Sequence, residues 1–451
     1  MDVMSKHRAN AVSLEKEIDW FSQVVAARIS LYFEQPCEYS DIYVITPPDL
    51  RSDDSEYGRF IATHELAFEE RIVLILTLIP HIRPQVLDTF FINNKNLDRG
   101  FTEFGGWRGK SHGGFLPTCE TAMFVLAGSD LNRRFEIFRI FHTDHIFARH
   151  DVLKLEHTGQ GEPLCAGALV MSAHYLNRLT SGTDYKPEFN ASFPAKRITT
   201  KLSWDDLVLS ASVREEIENI NLWIKHSPVL LNEWGLDKTV KPGYRSLFYG
   251  PPGTGKTLTA TLIGAAAGLD VYRIDLSMVV SKYIGETEKN LAGVFDQAMH
   301  KHWILFFDEA DALFGKRTQT ASANDRYANQ EVSYLLQRVE DFPGVVILAT
   351  NLKANIDDAF ARRFQSLVYF PMPDVEQRLR LWEVAFNRRD RLCDDVDLRK
   401  IAESHELSGG AITNVVRFAA LSALRNGRET INHHDLIKGV TKELRKEGKT
   451  I

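Results

Sequence analysis

The stretch YGPPGTGKTLTA, residues 249–260, decides the fold because it has the form of a phosphate-binding loop. It contains the pattern G-x-x-x-x-G-K-[ST], which runs from Gly250 to Thr257. The glycines allow a tight turn whose backbone N–H groups point inward at anionic oxygens. Lys256 is placed to reach the outer phosphates of a nucleoside triphosphate, and the Thr257 hydroxyl is placed to bind Mg²⁺. The loop therefore predicts a nucleotide site.

The residues on either side of the loop favour the same interpretation. Arg245–Tyr249 are typical of a short buried strand, and Leu258–Ala267 are typical of a helix. The N-terminus of such a helix adds a favourable dipole to bound phosphates. The alternative is a glycine-rich turn without function, but the strand before the loop, the helix after it and the Lys-Thr pair argue against it.

Apolar runs alternate with helical patterns from Leu202 to Phe370. This alternation predicts an α/β domain with a parallel sheet and helices on both faces. The predicted strands are Leu247–Tyr249, Asp270–Ile274, Trp303–Phe307, Val345–Ala349 and Leu367–Phe370. After Pro373 the pattern is helical only, and the predicted helices are Glu376–Phe386, Leu398–His405, Gly410–Asn426 and His433–Glu447. The sequence thus predicts a sheet domain at 196–371 and a small helical domain at 372–451.

The region before residue 196 is predicted to be a mostly helical N-terminal domain, residues 1–195. Apolar spacing predicts helices at Leu14–Phe33, Phe60–Leu78, Glu120–Leu126 and Asn132–Phe141. A glycine-rich stretch, 101–117, is predicted to be a loop or hairpin. Strand-like runs beside a short helix at 150–180 suit a winged-helix module, and the polar segment Ser181–Pro194 suits a linker.

Composition restricts the class of protein. The 451 residues are 44% hydrophobic and 25% charged, which is typical of globular domains. A net charge of −6 argues against a dedicated nucleic-acid binder. Four dispersed cysteines without metal-like spacing, together with an N-terminus that carries acids, predict a cytoplasmic protein. The most apolar run, Ile72–Ile79, is too short to span a membrane, and His64-Glu65 lacks the second histidine of a zinc-protease motif.

A second group of residues completes the predicted chemistry. Asp308 ends the strand-like run ILFFD, where it can hold Mg²⁺ beside Thr257, and Glu309 can then orient the attacking water. The alternative is an acidic helix cap after a core strand. Asn351 follows the strand-like run VILAT, where it can contact the γ-phosphate or the water, or simply begin a turn. Arg362 and Arg363 are either surface charges or arginines that act on a neighbour's nucleotide.

This motif set resembles the AAA+ ATPases from about Leu202 to the C-terminus. The resemblance implies ATP and Mg²⁺ as cofactors, a helical lid at the C-terminus, and a homo-hexameric ring. It assigns Lys256 and Thr257 to the Walker A loop, Asp308 and Glu309 to Walker B, Asn351 to sensor 1, and Arg362 and Arg363 to arginine fingers. Gly409 and Gly410 would approach the nucleotide from the lid, and Trp204–Val208 would line the adenine pocket. The implied nucleotide-binding residues are Pro252, Gly253, Thr254, Gly255, Lys256, Thr257, Leu258, Gly409 and Gly410.

A further match, SKYIGE at 281–286, resembles the first pore loop of AAA+ members that thread a substrate. Lys282, Tyr283, Ile284 and Gly285 would form an aromatic-aliphatic tip that grips an extended polypeptide. The alternative is a core tyrosine at a strand-to-helix turn. The stretch 315–327 is either a second pore loop or a plain exposed loop.

The predicted function is an ATP-hydrolysing ring that remodels, unfolds or helps to assemble protein clients. The phrases IDWFSQVVAARISLYF, LDRGFTEFGG and GGFLPTCETAMFVLAG, within residues 18–128, together with RRFQSLVYFPMPD and RLRLWEVAF, resemble the AAA+ ATPases of bacterial contractile injection systems. That resemblance implies an injection-particle component or cargo as the client. The alternatives are a nucleic-acid-directed motor or loader, and a scaffold that binds ATP but hydrolyses little.

Overall fold

The computed structural model describes residues 3–51, 53–96, 98–109, 111–156, 159, 161–190, 193–275, 286–310, 333–351, 361–386, 389–446 and 448. The chain divides into two compact units, Met1–Lys186 and Pro187–Ile451. The division falls inside the polar segment that the sequence marks as a linker. The domain bounds given above, and the winged helix, stay predictions.

The first unit is mainly helical. Its α-helices are α1 (Val3–Tyr32), α2 (Glu56–Thr63), α3 (Phe68–Ile82), α4 (Cys119–Ala127), α5 (Leu131–Phe138), α6 (Ile146–Arg149) and α7 (Ala173–Thr180). Three antiparallel pairs of short strands accompany them: β1 (Asn93–Asn94) with β2 (Arg99–Gly100), β3 (Trp107–Arg108) with β4 (Phe115–Leu116), and β5 (Leu153–Leu155) with β6 (Leu169–Met171). The β3–β4 pair confirms a hairpin within the glycine-rich stretch.

The core of the first unit lies around α3, whose residues 72–79 are all buried. A helix that is apolar all round is expected at the centre of a domain. Within the described ranges, no single helix is long and apolar enough to cross a membrane. By length and composition, α3 passes such a test only together with the 3₁₀ helix Pro84–Phe91, across a bend of 105°.

The single helix predicted at Phe60–Leu78 is wrong, because the chain breaks between α2 and α3. Glu65 has a φ of 49°, a left-handed conformation that ends the helical hydrogen-bond ladder. The Ala67 N–H then donates to the Glu70 carboxylate at 2.6 Å, which begins α3 afresh. The apolar periodicity continues across the break, so it conceals the two helices.

The second unit contains a six-stranded sheet with the order β12-β8-β11-β10-β9-β7. Its strands are β7 (Ala195–Ile198), β8 (Tyr244–Tyr249), β9 (Val271–Asp275), β10 (Ile304–Asp308), β11 (Val345–Thr350) and β12 (Ser366–Tyr369). Neighbours are parallel except β7, which pairs antiparallel with β9 at the edge. The parallel sheet is confirmed, and the five predicted strands are each found. β7 is an addition that the sequence pattern did not indicate.

Helices cover both faces of this sheet, as predicted. They are α8 (Ala211–Pro228), α9 (Lys256–Ala267) and α10 (Glu286–Lys301), with a further helical stretch at 333–341. Leu305 and Phe307 of β10 pack in one cluster with Phe295 of α10. Ile304 and Phe306 of the same strand pack in the opposite cluster, with residues of α8 and α9. This alternation buries β10 on both sides and leaves only its carboxyl end accessible.

The described residues of the C-terminal part are mainly helical, which confirms the lid. It comprises α11 (Val375–Ala385), α12 (Leu398–Ser404), α13 (Gly409–Arg425) and α14 (His433–Lys446). These helices share a core that includes Trp382 of α11, Val415 of α13 and Leu436 of α14. Asp374 caps the start of α11 by accepting a hydrogen bond from the Gln377 N–H at 2.8 Å.

Candidate nucleotide-binding site

The loop between β8 and α9 adopts a conformation that requires its glycines. Gly250, Gly253 and Gly255 have φ values of 141°, 75° and 99°, a region that side chains disfavour. A Cβ on Gly250 would also lie 2.2 Å from the Phe370 carbonyl oxygen. The loop therefore has the tight backbone that a phosphate cradle needs.

Lys256 opens α9 and is 8% exposed. Its Nζ donates to the carbonyl oxygens of Gly250 (2.7 Å) and Pro251 (2.9 Å), and to Asn351 Oδ1 (3.0 Å). Asn351 directly follows β11, the neighbour of β8 in the sheet. The parallel register thus brings the loop lysine and the predicted sensor asparagine into direct contact.

The two predicted acids lie where β10 ends. Asp308 is the last residue of β10 and is half-buried, whereas Glu309 is exposed. Glu309 has a φ of 52°, which is uncommon for a residue other than glycine. Its N–H donates to Asp308 Oδ1 at 3.1 Å. Unfavourable backbone conformations of this kind cluster at active sites, where the surrounding structure maintains them.

An arginine that sequence reasoning did not select lies beside Asp308. Arg273 is in the middle of β9, and its Nη1 is 3.7 Å from Asp308 Oδ2. In the β9–β10 register, Arg273 is opposite Phe306 and Asp275 is opposite Asp308. Residues two apart on a strand share a face, so Arg273, Asp275 and Asp308 project from the same face of the sheet. The sequence predicts both strands, but only their register shows this charge cluster.

The lid reaches the loop through the start of α13. The Gly410 N–H donates to the Gly253 carbonyl oxygen at 3.0 Å. A Cβ on Gly410 would lie 3.1 Å from Gly253 Cα, and one on Gly253 would lie 2.6 Å from Ser408 Oγ. Ser408 caps α13, because its hydroxyl accepts from the Ala411 N–H at 3.3 Å. Small residues on both sides therefore allow the two backbones to touch.

These elements enclose a cavity of about 700 Å³, and most of the predicted site residues line it. Its walls include the whole loop Pro252–Leu258, with Asp308, Asn351, Gly409 and Gly410. Of the segment predicted to face adenine, Asp206, Leu207 and Val208 line the cavity. Lining residues that sequence reasoning did not select for the site are Leu202, Leu209, Ser210, Val213, Phe370, Pro371, Pro373, Gln377, Leu381, Val384, Ala385, Ile412 and Thr413. Many are apolar, and in sequence they resemble ordinary core positions.

The remaining predicted residues are not brought to this cavity. Glu309, Arg362 and Arg363 are exposed, and none of them is among the described residues that line it. Arg363 Nη1 forms an ion pair with Glu340 Oε1 at 2.8 Å. Lys282, Tyr283, Ile284 and Gly285 lie outside the described residues, as does the stretch 315–327.

Comparison with known proteins agrees with this geometry. Residues 246–372 match the ATPase family associated with various cellular activities (AAA), and residues 395–438 match an AAA+ lid domain. A proteasome-activating nucleotidase of Pyrococcus furiosus is 36% identical over 251 residues, which are 54% of this chain and 62% of the relative. One from Methanopyrus kandleri is 33% identical, over 54% of this chain and 57% of the relative. The yeast 26S proteasome subunit RPT4, from Saccharomyces cerevisiae, is 32% identical over 52% of this chain and 54% of its own length.

Both family matches lie in the second unit, and the alignments span about three fifths of the length of the archaeal relatives. The family match covers the loop, both acids, Asn351 and the two arginines, while the lid match covers Gly409 and Gly410. This chain therefore contains an AAA ATPase domain at residues 246–372, followed by an AAA+ lid domain at residues 395–438.

Proposed function

We propose that this chain is an ATP-hydrolysing ring that remodels protein clients by threading them through a central pore. The observation that carries the proposal is one cavity walled by Lys256, Thr257, Asp308, Asn351 and Gly410. A phosphate loop, the Asp308 carboxylate, a sensor amide and a lid glycine surround the volume in which a nucleotide fits. The apolar Leu207 packs against Gly255, which suits the contact of a base beside the phosphates.

The residues present fit ATP with Mg²⁺. The glycine loop offers inward N–H groups, and Lys256 exchanges its carbonyl partners for phosphate oxygens. The Thr257 hydroxyl and the Asp308 carboxylate are hard oxygen donors of the kind that hold Mg²⁺. Bound Mg²⁺ supplies charge neutralisation at the phosphates. Glu309 orients the attacking water, and Asn351 donates its amide to the γ-phosphate or to that water.

A ring of identical subunits, a homo-hexamer by the AAA+ resemblance, accounts for Arg362 and Arg363. Both are exposed on the same unit as the cavity but are not part of its wall. In a ring they complete the site of the neighbouring subunit, where an arginine finger contributes on the order of 10³–10⁵ in rate. The Arg363–Glu340 ion pair holds one of them in place until a neighbour binds.

The clients we propose are proteins rather than nucleic acids. Relatives over this half of the chain are named as proteasome-activating nucleotidases and a proteasome subunit. The tip Lys282–Gly285 suits the gripping of a polypeptide, and the net charge of −6 disfavours a nucleic-acid track. By the resemblance of its N-terminal phrases, the client is a component or cargo of a contractile injection particle, met in the cytoplasm and selected by the first unit.

The test measures ATP turnover by the full chain with Mg²⁺, with either an unfolded protein or DNA added. We expect the unfolded protein to stimulate ATP turnover. In light scattering, we expect the mass of a ring of subunits when ATP is present. Glu309→Gln should bind ATP and retain clients but lose turnover, and Tyr283→Ala should keep turnover but lose client unfolding. Stimulation by DNA alone, or full turnover by a species that remains monomeric with ATP, would contradict the proposal.

A further inference from the structure

Two cysteines of the first unit lie side by side, although they are 46 positions apart in the sequence. Cys119 is the first residue of α4, and Cys165 is in the 3₁₀ turn Leu164–Ala166. Their Sγ atoms are 3.6 Å apart in a thiol–thiol hydrogen bond. Cys119 is buried, while Cys165 is half-buried and next to the exposed Leu164. The pair therefore has one sheltered sulfur and one that small molecules can reach.

Backbone contacts hold the two cysteines together. The Cys119 N–H donates to the Gly167 carbonyl oxygen at 3.1 Å, and Thr118 forms an antiparallel bridge with Ala168. Gly167 is itself closely packed, since a Cβ there would lie 2.6 Å from the Glu156 carbonyl oxygen. The proximity of the sulfurs thus follows from the fold itself and does not depend on a chance choice of rotamers.

The two thiols have different acidities. The hydrogen bond from the Cys119 thiol lowers the pKa of Cys165 to about 7, while the same bond and burial raise the pKa of Cys119 well above its usual range. The charged side chains that face the pair are Glu120 and Arg134, which neutralise each other through two contacts of 2.7 Å. Near neutral pH Cys165 is the nucleophile, because the thiolate is the reactive form.

We propose that Cys119 and Cys165 form an oxidation site that hydroperoxides convert into an intramolecular disulfide. The Cys165 thiolate attacks a peroxide oxygen, the O–O bond breaks, and the leaving hydroxide or alkoxide takes up a proton. The Cys119 sulfur then attacks the resulting sulfenic acid, forms the S–S bond and releases water. Both cysteine sulfurs are oxidised, and one hydroperoxide is reduced by two electrons to water and the corresponding alcohol or, from hydrogen peroxide, to two waters.

The other cysteines provide internal controls. Cys37 is half-buried in the same unit, and Cys393 is in the second unit, where its thiol donates to Thr430 Oγ1 at 3.1 Å. Within the described residues, neither forms a hydrogen bond with another cysteine sulfur. A disulfide between Cys119 and Cys165 would join α4 to the 164–166 turn and close the chain segment between them. Such a link constrains the unfolded chain most when the closed loop is long.

The experiment treats the full-length protein with hydrogen peroxide and records the intact mass. We expect a loss of about 2 Da, the two thiol hydrogens, with a linked peptide pair containing Cys119 and Cys165. Dithiothreitol should restore the original mass. The Cys37→Ser/Cys393→Ser variant should behave in the same way.

Single variants separate a reactive pair from two ordinary buried thiols. Cys165→Ser, at the accessible position, should abolish the mass loss. Cys119→Ser should convert it into a gain of oxygen at Cys165, because no resolving sulfur remains. Oxygen addition at Cys165 in the unmodified sequence, or links that involve Cys37 as often as Cys119, would overturn the proposal, as would a mass that does not change.

Discussion

Lys256 Nζ donates a hydrogen bond to Asn351 Oδ1 at 3.0 Å, which joins the phosphate loop to the end of β11. The same ammonium is held by two loop carbonyls, so it already has acceptors where a nucleotide would supply phosphate oxygens. Binding therefore exchanges hydrogen bonds at a cation that is already desolvated, which favours a strong charge-assisted contact.

The Lys256–Asn351 contact predicts different effects for two substitutions of Asn351. Asn351→Ala removes a donor near the γ-phosphate, so we expect ATP binding to persist while turnover falls by about 10²-fold. Asn351→Asp adds a negative charge that both pairs with Lys256 and repels phosphate, so we expect weaker binding as well. Fluorescent nucleotide titration and steady-state turnover measure the two effects. Equal behaviour of the two variants would contradict a direct role beside the phosphates.

The contact between α13 and the loop predicts that Gly410 resists substitution. Gly410→Ala places a Cβ 3.1 Å from Gly253 Cα, and we expect about tenfold weaker ATP binding from an overpacking cost of about 1–2 kcal/mol. Gly409→Ala is the matched control, since its Cβ would meet Gly253 and Leu381 at an ordinary 3.5 Å. Isothermal titration calorimetry with ATP should show a lower affinity for Gly410→Ala than for Gly409→Ala. Equal loss of affinity in the two variants would show that replacing a glycine at the start of α13 weakens binding, whether or not the new Cβ meets Gly253.

The Arg273–Asp308 ion pair predicts an effect on magnesium dependence. Arg273→Ala removes the positive charge beside Asp308. The carboxylates of Asp308 and of Asp275, its partner across β9 and β10, then remain without this cation. We expect half-maximal Mg²⁺-dependent ATP binding at a two- to fivefold lower Mg²⁺ concentration, as is typical of an exposed charge worth about 1 kcal/mol or less. Arg273→Lys, which retains the charge, should stay near the original value. A Mg²⁺ requirement that rises in Arg273→Ala would contradict this account.

The thiol pair predicts a pH-dependent reactivity of Cys165. A pKa of about 7 leaves half of this thiol ionised at neutral pH, against about 3% for an ordinary cysteine. Because a less basic thiolate is also a weaker nucleophile, we expect alkylation about threefold faster than in Cys119→Ala at pH 7. Above pH 9, where both forms are ionised, the order should reverse, because the more basic thiolate of Cys119→Ala is the stronger nucleophile. The measurement is the rate of Cys165 alkylation by iodoacetamide, followed by peptide mass spectrometry from pH 5.5 to 9.5 in both proteins.

The elements that were predicted correctly are those whose pattern of apolar and polar residues matches their burial in the fold. Buried strands such as β10 and β11 read as continuous apolar runs, and polar residues follow where each strand meets the cavity. The phosphate-binding loop can be predicted from the sequence because its backbone conformation strongly favours glycine at fixed positions. By contrast, β7 has two adjacent exposed residues, Lys196 and Arg197, between a buried Ala195 and a half-buried Ile198, and it forms a strand through its pairing with β9.

Two site features were invisible to the sequence for a related reason. Arg273 becomes part of the site through the register of β9 against β10, a property of two strands together. Leu381 and Ile412 are core-like residues of lid helices, and their place in the cavity wall depends on how the lid docks. The break between α2 and α3 at Glu65 was not predicted, because hydrophobic periodicity shows which side of a helix is buried but does not show where one helix ends and the next begins.

The touch between Gly253 and Gly410 is made of main-chain atoms alone. It contains no ionisable group, so acidity cannot switch it, and it carries no net charge for dissolved ions to screen. What remains to control the contact is the content of the adjoining cavity, because a molecule bound there lies against both the loop and the start of α13. The contact between the loop and the lid is thus expected to respond to what the cavity holds, and not to the pH or salt of the solution.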